Sequence, residues 1–303
     1  MKFTILDAFS INLGDLSWDP ISELCDFHPY DRTESHQISD HITGCDGFFV
    51  SKCSITRQIM EACPTLKFIG VTATGYDNVD IQAAKDLGIA VCNVPAYSTE
   101  AVAQHAFALI LELSNRAGSY NESIQRGKWY ETKDFTFIED PLTLLDGKSL
   151  GIIGYGNIGK RVARIGEAFG MKINIYSQNK KAAMESDFLT LHCPLTTENK
   201  GFVNTNFINQ MKDGAILINT ARGALINEPD LADALKRGKL AAAAVDVLSC
   251  EPPKMPNPLI GLPNCILTPH IAWMPKETRQ KVIDICAANL QSWMEGGKLN
   301  RIV

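Results

Sequence analysis

The 303 residues, 45% hydrophobic and 21% charged, suffice for two α/β domains, each with its own core. A net charge of −5 offers no basic surface for nucleic acid, and no apolar run reaches the roughly 18 residues of a membrane span. Nine cysteines, odd in number and without a C-x-x-C pair, read as reduced thiols of a cytoplasmic protein, and Asp7 comes too early for a secretory leader.

The first hundred residues alternate short apolar runs with helical stretches. Phe3 to Leu6, Gly47 to Val50, Lys67 to Val71 and Ala90 to Asn93 read as strands. Ile55 to Ala62 and Asp80 to Leu87 read as helices between them, a βαβ pattern that predicts a parallel sheet. The loop Thr72-Ala-Thr-Gly-Tyr-Asp-Asn follows the third strand. Ligands of open parallel sheets gather at the carboxyl ends of strands, so this loop is a candidate wall of an active site.

A long apolar helix is predicted from Thr99, a plausible cap, to Leu113, crossing from one domain to the other. The stretch from Asn115 to Lys148 is more polar and interleaves Tyr120, Trp129, Tyr130, Phe135 and Phe137. It reads either as a surface that packs on another subunit or as an arm folded on its own domain.

Leu150 to Ile153 suits a buried parallel strand. Gly154, Gly156 and Gly159 then follow with G-x-G-x-x-G spacing. Their respective uses are a tight turn, close approach of a pyrophosphate, and close packing of helix on strand. A helix from Asn157 to Phe169, stopped by Gly170, and a strand from Lys172 to Tyr176 complete the unit. Its helix N-terminus offers unpaired N–H groups to an anion, so a dinucleotide is the expected ligand. Phe188 to His192, Ala215 to Asn219, Ala241 to Val247 and Cys265 to Thr268 read as further strands. Helical stretches at Asn206 to Gln210 and Pro229 to Arg237 separate them, and Gln280 to Trp293 forms a last helix. The fold class expected is α/β, with two doubly wound parallel-sheet, Rossmann-like domains.

Four polar residues stand at or just past the late strands: Arg222, Asp246, Glu251 and His270. Strand ends of one sheet converge, so these can meet despite their separation. A carboxylate beside a histidine favours the imidazolium, a natural proton donor. An arginine presents a planar fork that matches a carboxylate. Together with a nicotinamide they make a site for hydride transfer to a 2-keto acid. His192 ends a strand of the cofactor half and reads either as a dinucleotide contact or as a structural histidine. Neither it nor Cys193 has metal-ligand company, so no metal is expected.

These residues stand in the motifs Gly-Ile-Ile-Gly-Tyr-Gly-Asn-Ile-Gly, Leu-His-Cys-Pro-Leu-Thr, Asn-Thr-Ala-Arg-Gly-Ala-Leu-Ile, Val-Asp-Val with Glu251-Pro252, and Thr-Pro-His-Ile-Ala-Trp. Through them nearly the whole chain resembles the D-isomer-specific 2-hydroxyacid dehydrogenase family. Thr72-Ala-Thr-Gly-Tyr-Asp and Val94-Pro-Ala-Tyr-Ser-Thr-Glu-Ala-Val-Ala-Gln resemble its glycerate dehydrogenase (hydroxypyruvate reductase) branch. The resemblance implies a split substrate domain, 1–98 with 274–303, and a dinucleotide domain, 99–273, inserted in it. It implies reduction of hydroxypyruvate or glyoxylate to D-glycerate or glycolate by NAD(P)H, in a homodimer joined through the long helix and the arm. His270 would protonate the carbonyl, Glu251 would orient His270, and Arg222 would bind the substrate carboxylate opposite the backbone N–H groups of Thr74 and Gly75. Cofactor contacts are implied at Thr99, along the turn Gly154, Gly156, Asn157, Ile158 and Gly159, and at Ser177. They are implied again at His192 and Pro194, at Thr220 and Arg222, and at Asp246 and His270, with Asp246 holding the nicotinamide amide. D-3-phosphoglycerate as substrate, or a dinucleotide-sensing corepressor-like module, are the rival readings.

Two features depart from the family pattern. Ser177 stands where NAD-preferring members carry an acid for the ribose 2′-OH, and Lys180 and Lys181 follow, so NAD and NADP both stay open. The segment between Lys181 and Asp187 is short where the family has a further strand and helix, so a wall near the adenine is expected to be missing.

Overall fold

The computed structural model describes residues 1–254 and 256–303, which divide into two compact units, Met1–Ser98 with Met274–Val303, and Thr99–Trp273. In the first unit, β1 (Lys2–Ile5), β2 (Asp26–Pro29), β3 (Gly47–Val50), β4 (Phe68–Val71) and β5 (Ala90–Cys92) form a parallel sheet in the order β2-β1-β3-β4-β5. The helices between them are short: α1 (Asp19–Ser22), α2 (Ile38–Ile42), α3 (Arg57–Glu61) and α4 (Ile81–Asp86). Alternation along the strands sends Phe48, Val50, Ile69, Val71 and Val91 into one core. The strand order reverses between β1 and β3. There the carboxylate of Asp7 accepts backbone N–H bonds from Ser51, Lys52 and Cys53 and so ties the two strand ends together.

In the second unit α5 (Thr99–Asn115) leads into α6 (Ala117–Gln125) and the arm. Thr99 is the first residue of the helix rather than a cap outside it. No residue of α6 is buried. The arm folds partly on itself: Tyr120 packs on Phe137 at 5.7 Å, and its hydroxyl accepts from Glu139 N. Trp129, Tyr130 and Phe135 stay exposed. Six parallel strands follow, β6 (Ser149–Ile153), β7 (Lys172–Ile175), β8 (Phe188–Leu191), β9 (Ala215–Asn219), β10 (Leu240–Val245) and β11 (Cys265–Leu267), in the order β11-β10-β9-β8-β6-β7. Between them lie α7 (Asn157–Ala168), α8 (Lys180–Met184), α9 (Thr205–Asn209) and α10 (Glu228–Lys236). Leu150, Ile152, Phe188, Ala242 and Ala244 face a core shared with α5 and α7. Their neighbours Leu189, Leu191, Ala243 and Val245 face the core under α8, α9 and α10.

The segment after Lys181 holds the helix but not the strand. Asn179 caps α8 through a bond from Ala182 N, and Ala183 and Met184 bury its inner face. Among the described residues no strand lies beyond β7, which is therefore an edge of the sheet. The chain ends with α11 (Lys276–Met294), which starts four residues before the sequence periodicity suggests and packs back on β4 of the first unit. Trp293 joins Phe3 and Phe68 there, and Ile302 N donates to Val91 O.

Candidate functional site

All six strands of the second unit run parallel, so their exits share one edge of the sheet. The order turns back between β6 and β8, the position at which open sheets form a ligand crevice. Gly154 leaves β6 with φ +94°, in the left-handed region. A Cβ there would lie 2.4 Å from the backbone of His192 and Cys193, so only glycine lets the exits of β6 and β8 meet. Gly159 passes the carbonyl of Gly154 so closely that a Cβ would stand 2.1 Å from it. Gly156, the N-cap of α7, has open space where a side chain would be, and Asn157, Ile158 and Gly159 form the first turn beyond it.

Two polar atoms at neighbouring strand exits are buried without a partner, Nδ1 of His192 after β8 and Oγ1 of Thr220 after β9. Burial pushes the His192 imidazole down to about 3, so the ring is neutral, and its Nε2 bonds Thr190 Oγ1 at 2.9 Å. An open glycine cradle at a helix N-terminus, with two orphaned polar atoms beside it, is what a dinucleotide would complete. Pro194 is exposed, with its carbonyl accepting from Asn199. Ser177 is exposed just past β7. Of the lysines that follow, Lys180 lies 5.7 Å over the Tyr176 ring and Lys181 lies 3.9 Å from Glu185.

Further along the same edge, Glu251 Oε2 and His270 Nδ1 are 2.6 Å apart, each partly open to solvent. The other oxygen of Glu251 accepts from Leu248 N at 2.9 Å, which fixes the carboxylate on its loop. Arg222 lies exposed in the loop after β9. The buried Asn219 shapes that loop, donating to Arg222 O and accepting from Ala221 N. Gly223 presses on the backbone of Leu248, where a Cβ would come within 2.0 Å, so the loop of Arg222 and the loop of Glu251 are in contact. Arg222, Glu251 and His270 are thus gathered on adjoining loops of one unit. Thr74 and Gly75 belong to the other unit, where Thr74 Oγ1 donates to Val94 O and Asn93 Nδ2 donates to Thr74 O.

Asp246 is almost wholly buried. Oδ1 accepts from Thr268 Oγ1 and Ile271 N, Oδ2 from Ala272 N, and its own carbonyl accepts from His270 N. Burial pushes this carboxyl up, but the bonds from His105, Thr268 and the two backbone groups outweigh it and hold it below the usual carboxylate range. Two groups here have no counterpart among the residues singled out from the sequence. Glu228, at the start of α10, accepts from Ser249 N at 2.6 Å and from Asn257 Nδ2 at 2.9 Å, and so braces the loop of Glu251. His105 reaches the Thr268–Asp246 pair from α5. The signals available were a glutamate just after the capping Asn227 and a lone imidazole in an apolar helix; neither names its partner.

Comparison with known proteins adds an independent line. Residues 107–272 match the family described as D-isomer specific 2-hydroxyacid dehydrogenase, NAD binding domain. The chain is 43% identical over 318 aligned positions to a hydroxypyruvate reductase of Blautia hydrogenotrophica, covering 99% of each. It is 38% identical to a glycerate dehydrogenase of Methylorubrum extorquens, covering 90% of this chain and 91% of that one. The crystal structure of the TT0316 protein of Thermus thermophilus superposes over the full length of both chains with a TM-score of 0.87 at 29% identity. A glycine cradle at the switch point of a parallel sheet, an imidazole–carboxylate pair on the same edge and these full-length likenesses agree: the chain belongs to the D-isomer-specific 2-hydroxyacid dehydrogenases.

Proposed function

We propose that this enzyme reduces hydroxypyruvate or glyoxylate to D-glycerate or glycolate, in the cytoplasm and as a homodimer. The observation that carries the reading is the 2.6 Å His270–Glu251 pair on a loop that abuts the loop of Arg222. The names of the similar reductase and glycerate dehydrogenase support the choice of substrate. Nine free thiols suit a reducing compartment, and the exposed Trp129, Tyr130 and Phe135 suit burial against a second copy.

When bound, the reduced nicotinamide supplies two electrons and a hydrogen to the carbonyl carbon. The chain's own residues handle the charge and the proton. Arg222 takes the substrate carboxylate in its fork. His270, held at Nδ1 by Glu251, turns Nε2 to the carbonyl oxygen and gives up its proton as negative charge develops there. Glu251 fixes the ring and balances its charge. In the first unit, the Thr74–Gly75 turn offers backbone N–H groups to a carboxylate oxygen. Gly154, Gly156, Asn157, Ile158 and Gly159 would hold the dinucleotide, with Thr99, Ser177, His192, Pro194, Thr220, Asp246, Arg222 and His270 as further contacts. Residues 99–273 form its domain, and residues 1–98 with 274–303 the substrate domain. NADH and NADPH both fit a site whose β7 exit carries Ser177 in place of an acid.

A spectrophotometric assay with both dinucleotides tests this, using hydroxypyruvate, glyoxylate, pyruvate and 3-phosphohydroxypyruvate as acceptors. Hydroxypyruvate and glyoxylate are expected to be reduced fastest. His270→Gln is expected to abolish reduction while dinucleotide binding persists. Turnover that survives in His270→Gln, or a faster rate on the phosphorylated acceptor, would overturn the assignment of proton donor or of substrate respectively.

A further inference from the structure

His105 sits in the seventh position of α5, inside a run of apolar residues that packs on β9 and β10. It is mostly buried. Nε2 lies 3.1 Å from Thr268 Oγ1 and 3.5 Å from Asp246 Oδ1. The Thr268 hydroxyl has a single hydrogen, and it goes to Asp246 Oδ1 at 2.6 Å. The hydrogen between His105 and Thr268 therefore belongs to the imidazole, and His105 donates from Nε2.

This bond sits at the head of a chain of contacts that ends at the proton donor. Asp246 gathers three consecutive backbone N–H groups, those of His270, Ile271 and Ala272, the first on its carbonyl and the others on its carboxylate. That convergence bends the backbone so tightly that His270 adopts φ +55°, a conformation uncommon outside glycine. The bend decides the direction in which the imidazole leaves the backbone to meet Glu251. An ionised Asp246 accepts every one of these donors. A protonated Asp246 would place a hydrogen of its own among the Thr268, Ile271 and Ala272 donors and would leave them bonds to a neutral group, weaker than those to the carboxylate. Its burial favours protonation, and the donors around it, His105 foremost, oppose it.

We propose that His105 is a positioning residue for the reduction: by donating into the Thr268–Asp246 pair it keeps the Asp246 carboxylate a full acceptor, and so holds the turn that aims His270 at Glu251. The inference rests on the assignment of His270 as proton donor. In this role His105 acts through Thr268 and Asp246, with the Asp246 carboxylate facing it from the β10 exit and Glu251 facing His270 from the loop beyond.

The test compares His105→Leu, which keeps bulk and loses the donor, with His105→Gln, which keeps an N–H at similar reach, and with Thr268→Val, which removes the bridge. Two readouts are needed. The first is kcat for reduction across pH, with dinucleotide affinity measured separately by fluorescence. The second is the NMR titration of the His270 ring in the protein without dinucleotide, its signal identified by its loss in His270→Gln. His105→Leu is expected to lower kcat by about tenfold or more and to move both the pH profile and the His270 titration, with dinucleotide affinity little changed. His105→Gln is expected to restore most of both, and combining His105→Leu with Thr268→Val should cost no more than the worse single change. A wild-type His270 titration and kcat in His105→Leu would overturn the proposal. So would a His105→Gln as poor as His105→Leu, or effects of His105 and Thr268 that simply add. If His105→Leu fails to unfold cooperatively, the glutamine and valine variants decide. The NMR arm needs no turnover, so a wrong substrate leaves this test standing.

Discussion

Gly154 occupies a point where backbone can pass and no side chain can. Its positive φ would strain any L residue, and the backbone of His192 and Cys193 fills the space a Cβ would need. Gly154→Ala therefore combines strain with a collision that only separation of the β6 and β8 exits can relieve. It is expected to destabilise the enzyme by about 3 kcal/mol or more and to abolish dinucleotide binding; thermal unfolding and fluorescence titration check the two effects. This position was legible in the sequence because spacing alone identifies it. Arg222, Glu251 and His270 were legible for a related reason, since each follows an apolar run that reads as a strand. Asn219, Glu228 and His105 were not. Each acts through one hydrogen bond whose partner is set by tertiary packing, and a polar residue at a strand end, at a helix start or within an apolar helix has many commoner explanations.

Among the elements, the strands of the second sheet were legible from their continuous apolar runs, because a sheet covered on both faces needs no alternation with polar residues. The exception in the first sheet is β2, whose residues Asp26–Pro29 are mostly exposed and include a proline. An edge strand can tolerate both, and so it leaves no pattern to read. The short connection from β7 to β8 was legible as a shortening, but its helix was not, since five residues show little periodicity. Its far end is held by Asp187, which accepts from the backbone and hydroxyl of Ser149 at 2.8 and 2.7 Å and from Lys212 at 2.6 Å. Burial pushes this carboxyl up, but the bonds from Lys212 and Ser149 outweigh it and bring it down to about 2. A carboxyl held low when folded stabilises above its ordinary range and loses that contribution as pH falls towards its folded value. The enzyme should thus lose about 1–2 kcal/mol through Asp187 between roughly pH 4 and pH 2, a loss that Asp187→Asn should remove at the cost of lower stability at neutral pH. Denaturant unfolding at a series of pH values measures it, and a variant with an unchanged acid limb would refute the role.

For the whole molecule, the sequence pattern conveyed two parallel-sheet units because each alternates strand and helix in its own register. It left the arm's disposition open, since interleaved aromatics suit either an intramolecular or an intermolecular contact. The structure divides them: Tyr120 and Phe137 close on each other, while Tyr130 and Phe135 are 94% and 89% exposed. Tyr130→Glu with Phe135→Glu is expected to halve the mass seen by analytical ultracentrifugation. A wild-type protein that already sediments as a monomer, or a double variant that stays dimeric, would refute the arm's role in assembly.

The first unit is assembled from two separated pieces of chain. Phe3 packs on Trp293, Arg279 donates to Ile11 O and to Asp15, and Val91 exchanges backbone bonds with Ile302 and Val303. Cover for the sheet face that carries Phe3 and Phe68 therefore waits for residues 274–303, and the segment 99–273 is made in between. The earlier-made half thus completes its core only after the later-made half has been synthesised, so the two units need not mature in the order in which they are made.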